Sequence, residues 1–152
     1  ATNRTAVAVI IGNKTYNAGV PSVDFAGNDA SAMHRFVVEN LGYREGNVID
    51  LRDARLSDLI DVFGNRETHE GKLWQWVKTG KSDVTVFYSG HGVPGLRDKK
   101  GYLLPVDADP DTVELNGYPL DWLLSNLAKI KSRPSNLGDS IKKSATSNRA
   151  SG

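Results

Sequence analysis

Cysteine is absent from all 152 residues, which excludes disulfides, thiolate metal sites and any thiol nucleophile drawn from them. Methionine occurs once, at Met33, and the first residue is Ala1. The start therefore reads as cut or processed, and a lost targeting segment stays open. Long apolar runs are missing too. Ala6 to Ile11 is among the longest, far short of the ~20 residues a membrane span needs. No membrane association and a cytoplasmic location are expected.

Charge of one sign is also scarce, with a net of +1, but it is unevenly spread. Residues 131–152 hold five cations and one carboxylate, a net of +4, which leaves −3 on residues 1–130. An acidic body with a basic tail lacks the recurring basic face of a nucleic-acid reader, so no nucleic-acid partner is expected. The tail holds six serines and few large apolar side chains and reads as a flexible end. The boundary near Lys131 divides a globular domain, residues 1–130, from this tail, residues 131–152.

What is present suits one ordinary domain: 39% apolar residues, 15 glycines and a length typical of a single core. Ala6 to Ile11 is apolar without alternation and β-branched, as in a strand buried on both faces. A helix follows, with Ala30, Met33, Phe36, Val37 and Leu41 at helical spacing, Asn28 or Asp29 as cap and Gly42 at its end. Val48–Leu51 predicts a second strand, and Ser57–Phe63 and Thr68–Val77 predict further helix. Asp83–Tyr88 predicts a third strand, Leu103–Val106 a short extended piece, and Leu120–Ile130 a last helix. The order β-α-β-α-β predicts an α/β fold around a mainly parallel sheet, with function at the carboxyl ends of its strands.

His91 follows the third strand directly and is flanked by Gly90 and Gly92. Glycine on both sides lets a substrate backbone approach and leaves the Gly92 amide free to donate. An imidazole titrating near neutrality suits proton transfer, the plainer alternative being a loop histidine bonded locally. His34 is read within a helix and His69 at a helix start, too far apart to share a metal with His91. Two tempting motifs fail. Gly12-Asn13-Lys14-Thr15 lacks the glycines of a phosphate loop, and Ser89 lacks the glycines two residues away that a nucleophile elbow needs.

Together, Ala8-Val9-Ile10-Ile11-Gly12-Asn13, Asn28-Asp29-Ala30, Val86-Phe87-Tyr88-Ser89-Gly90-His91-Gly92 and Leu104-Pro105-Val106-Asp107 resemble the large-subunit region of caspase-like cysteine peptidases. Within that group the metacaspase, paracaspase and bacterial caspase-like branch is most similar. The resemblance spans residues 6–130. It implies a three-layer α/β fold with helices flanking the sheet, and a histidine–cysteine dyad that hydrolyses peptide bonds. It implies His91 as the catalytic histidine, the Gly92 amide as half of the oxyanion hole, and Asp29 as the carboxylate that receives Arg or Lys. The alternative for Asp29 is a helix cap. No cofactor and no metal are implied. Many metacaspases bind calcium through acidic residues after the histidine, but residues 93–100 hold three cations and one carboxylate.

The departure is the nucleophile. The resemblance places a cysteine ~50 residues after the histidine, near residue 141. Residues 136–142 read Asn-Leu-Gly-Asp-Ser-Ile-Lys, with no apolar strand and no cysteine. Ser140 as a substitute has the wrong flanks. The expectation is an incomplete peptidase domain, inactive as it stands, or a pseudo-peptidase that binds a peptide or protein on the same fold. A sheet that stops early exposes an edge, which invites a second copy or a partner chain.

Overall fold

A computed structural model describes residues 3–134 and 141–143 of the chain. Its main sheet has the order β2-β1-β3-β7, all parallel, with β1 Val7–Gly12, β2 Val48–Arg52, β3 Val84–Ser89 and β7 Ile141–Lys143. The unbroken apolar run is explained by place. β1 lies between β2 and β3 and all six of its residues are buried.

Alternate β1 side chains serve opposite layers. Ala8 and Ile10 pack with Ala30 and Val37 of α1, Ala26–Glu39. Val7, Val9 and Ile11 pack with Leu59 and Phe63 of α2, Leu56–Phe63, Leu73 of α3, Lys72–Trp76, and Leu123 of α5, Leu120–Lys129. Each fully buried Val, Leu or Ile contributes roughly 1.5–3 kcal/mol. This is the expected three-layer α/β fold.

A second sheet, antiparallel in the order β4-β5-β6, was not legible in the sequence. It comprises β4 Gly92–Pro94, β5 Gly101–Leu103 and β6 Tyr118–Pro119, with α4, Val113–Asn116, beside it. The extended piece expected at Leu103–Val106 is displaced to β5. The loop after β1 packs on this small sheet through Tyr16, Val20 and Val23 against Tyr102, Leu104 and Val106.

Three expectations are corrected. α1 begins at Ala26 with Phe25 as its N-cap and no side-chain cap, two residues before the expected capping pair. Gly12 sets that position: a β-carbon there would lie 2.7 Å from the Ala30 β-carbon and 2.8 Å from the Ala26 carbonyl. Only a small-residue turn can approach β1 so closely. Second, α3 is short, and His69 lies in the loop before it, edge-on to Trp74, because Asn65 Oδ1 accepts the Glu67 and Thr68 amides and holds a turn. Third, residues 141–143 do form a strand, pairing with Val86–Tyr88, so β3 is not bare there. Parallel pairing needs only backbone groups, and lysines suit an edge strand. Ser140 and most of the basic tail fall outside the described residues.

Candidate active site

Chain geometry collects the site past the carboxyl ends of β1 and β3. β3 ends at Ser89, and the chain turns through Gly90 and His91 into β4, so two residues join the two sheets. The corner is tight. A β-carbon on Gly90 would lie 2.6 Å from the Tyr16 hydroxyl and 2.7 Å from the Tyr88 hydroxyl.

His91 is 2% exposed and gripped on several sides. Its amide donates to the Tyr16 hydroxyl at 2.8 Å, and its carbonyl accepts from the Tyr88 hydroxyl at 2.6 Å and from the Leu104 amide at 3.0 Å. The Tyr16 ring packs on the imidazole with centroids 4.8 Å apart. Nε2 lies 2.7 Å from the Pro21 carbonyl oxygen. A carbonyl only accepts, so Nε2 carries a proton and donates, and in the neutral form of the ring Nδ1 holds the lone pair. That Nδ1 is buried and, among the described residues, has no hydrogen-bond partner. An unmet buried acceptor costs about 1–3 kcal/mol, which asks for a reason.

The loop that supplies Tyr16 and Pro21 is itself anchored. Asn13 is fully buried; its amide bridges the Ala54 and Leu104 carbonyls while its oxygen accepts the Ala54 amide. Asp53 Oδ1 accepts the Lys14 and Thr15 amides, with Asp53 in the left-handed backbone region at φ 50°. The Val23 amide returns to the Lys14 carbonyl and closes the loop. Burial pushes the Tyr16 hydroxyl above its ordinary pKa, and that of Tyr88 further, so both remain protonated hydrogen-bonding groups.

Gly92 pairs with Leu103, while the Leu104 amide donates to His91. That makes Gly92 and Leu103 a non-hydrogen-bonded pair, with the Gly92 N–H turned away from β5. Asp29 lies in the first turn of α1, and its carboxylate accepts from the buried Ser89 hydroxyl at 3.4 Å. Asp29 is thus not the helix cap and is joined to the strand that ends two residues before His91. His34 belongs elsewhere. It bonds Asp50 of β2 and Glu45 on the far side of α1, and Arg52 ties Asp50 to the Gly27 carbonyl and Ser31. Among the described residues no three His, Asp or Glu side chains gather as metal ligands. In the β4–β5 loop, Asp98 accepts from the Tyr102 hydroxyl and the Lys100 amide, and Glu114 from the Arg97 and Asp98 amides.

Tyr16, Pro21, Tyr88 and Ser89 were not singled out as site residues from the sequence. Tyr88 and Ser89 lie within the quoted motif and could have been found there. Tyr16 and Pro21 are 75 and 70 residues from His91, and no local pattern signals them.

A parallel α/β sheet with a buried histidine, an outward glycine amide and a carboxylate past its carboxyl ends defines a three-layer α/β domain with its candidate site at a strand-end corner. The family profile of the caspase domain matches residues 5–132, and the chain belongs to that family. No curated protein matches it. Among the described residues, no helix is long and apolar enough to cross a membrane.

Proposed function

We propose that the chain is a caspase-like cysteine endopeptidase domain of the metacaspase, paracaspase and bacterial caspase-like branch, directed to Arg or Lys before the scissile bond. Its thiol is not among these 152 residues. The observation that carries this reading is the bare, buried Nδ1 of His91. With Nε2–H committed to Pro21, Nδ1 is the one ring atom able to take a proton from a thiol brought beside it. The thiolate then attacks the peptide carbonyl, the oxyanion forms against the outward Gly92 N–H, and the protonated Nδ1 returns its proton to the leaving amine. Water completes hydrolysis of the thioester. β7 runs where the resemblance puts the nucleophile strand, and its residues are Ile141, Lys142 and Lys143. The chain as it stands therefore turns over nothing by this route. The absence of cysteine also favours a second reading, a pseudo-peptidase that binds peptide without cutting it.

Both readings place a cationic side chain against Asp29. A charge-assisted contact of about 1.5–3 kcal/mol corresponds to roughly a 10- to 100-fold preference for Arg over Asp. Blocked tripeptides ending in Arg, Lys or Asp are titrated into the chain and followed by amide NMR. Arg and Lys peptides should shift Asp29, Ser89 and Gly92, the Asp peptide should not, and Asp29→Asn should remove the preference. A folded Asp29→Asn chain that still prefers Arg ends the pocket assignment. Arg- and Lys-ended reporters should give no turnover. Cleavage abolished by His91→Ala would reveal another nucleophile and overturn the claim of inactivity.

A further inference from the structure

We propose that Tyr16 is the positioning residue for His91, holding its backbone and ring so that Nε2–H stays on Pro21 and Nδ1 stays bare. This rests on the reading of His91 as the proton carrier.

The hydrogen-bond directions are forced. The His91 amide can only donate, and it donates to Tyr16. The His91 carbonyl can only accept, and it accepts from Tyr88. The two hydroxyls therefore hold the His91 peptide by both of its polar groups, Tyr16 at the amide and Tyr88 at the carbonyl. Gly90 leaves the space for both hydroxyls. Bonds to both polar groups fix the orientation of the backbone at His91.

Tyr16 and Pro21 share one anchored loop, five residues apart, so that loop grips His91 at both ends. The tyrosine takes the main chain and one face of the imidazole, and the proline carbonyl takes the tip. Removing the Tyr16 hydroxyl leaves the His91 amide buried without that acceptor. The peptide is then free to rotate in search of another partner, and the imidazole leaves Pro21 with it.

The test follows the His91 Nε2–H proton and the ring-nitrogen shifts by NMR in the unmodified chain, Tyr16→Phe and Tyr43→Phe. Tyr43→Phe is a matched control, because it also deletes a buried hydroxyl bond, 2.8 Å to Thr85, remote from His91. In the unmodified chain Nε2–H should exchange slowly with water. Tyr16→Phe should exchange it about tenfold faster or more, the effect of losing one buried bond, while Tyr43→Phe leaves it unchanged. A folded Tyr16→Phe with the original exchange rate and nitrogen shifts overturns the proposal. So does a Tyr43→Phe that loosens the ring equally. Should Tyr16→Phe not fold, deuterium exchange of the His91 amide in the unmodified chain decides: strong protection supports its bond to Tyr16, and exchange at an open-loop rate refutes it. A proton found on Nδ1 in the unmodified chain would instead refute the proton-carrier reading itself, a failure visible without any variant.

Discussion

Gly90 and Gly92 flank the same histidine, yet an alanine should have opposite consequences at the two positions. At Gly90 the new methyl would meet the Tyr16 and Tyr88 hydroxyls at 2.6 and 2.7 Å and the Tyr88 ring at 2.9 Å. Both tyrosines are buried and bonded to His91, so they cannot swing into solvent without breaking those bonds. Two bonds at about 1–1.5 kcal/mol each, less about 0.4–1 kcal/mol from a stiffer unfolded chain, leave a net loss of about 2 kcal/mol. For a chain of this size that lowers Tm by roughly 3–10 °C. At Gly92 the methyl meets only the Tyr102 carbonyl at 3.7 Å, an ordinary contact. Gly92→Ala should leave stability unchanged or raise it by up to about 1 kcal/mol. Thermal and urea unfolding of the two variants, with urea slopes compared, measures this. Equal losses, or a Gly90→Ala chain as stable as the original, would refute the assignment of the corner to the tyrosine hydroxyls.

Two further predictions concern groups outside the corner. Bonds to Asp50 and Glu45 outweigh burial and raise the His34 pKa, so its stabilisation is fully present below its unfolded value of about 6.5 and is lost as pH rises through the folded one. For Asp50, burial acts upward but the Arg52 and His34 bonds prevail and lower its pKa; its contribution is present above about pH 4 and fades as pH falls further. Stability of the unmodified chain should therefore decline by under about 1 kcal/mol between pH 6 and 8, and His34→Gln should flatten the decline. A decline of the same slope in His34→Gln would contradict the assignment. Calcium should give no heat at micromolar levels, since Asp98 and Glu114 already accept bonds in the cationic β4–β5 loop; calorimetric binding in that range would overturn this.

The long parallel strands were legible because burial on both faces writes an unbroken apolar run, as in Ala6–Ile11. The two- and three-residue strands β4, β5 and β6 were not, because no periodicity develops over such lengths. The start of α1 was misplaced for a different reason. Asn28-Asp29 has the chemistry of a cap, but the close approach of Gly12 to Ala26 and Ala30 decided where the helix begins. The helix read over Thr68–Val77 is longer than the Asn65 turn permits. His91, Gly92 and Asp29 were proposed as site residues from a local motif and a resemblance, and the fold sets them near the carboxyl ends of β1 and β3. The groups that hold His91 in place were not, because a tyrosine or a proline in a loop carries no sign of what it meets after folding.

The anchoring of Asn13 bears on the order in which the molecule is made. Its side chain joins residues 41 and 91 positions away, and the grips on His91 and Asp29 span 60 to 75 positions. Closing loops of that length is entropically costly and yields nothing until the enclosed segments are already packed. The histidine corner is accordingly a late event, completed only after both sheets and α1 have docked. A fragment that ends before Leu104 can form β1 and α1 and still lack the corner. The state of His91 is thus a read-out of whether the whole domain has folded, as well as of its chemistry.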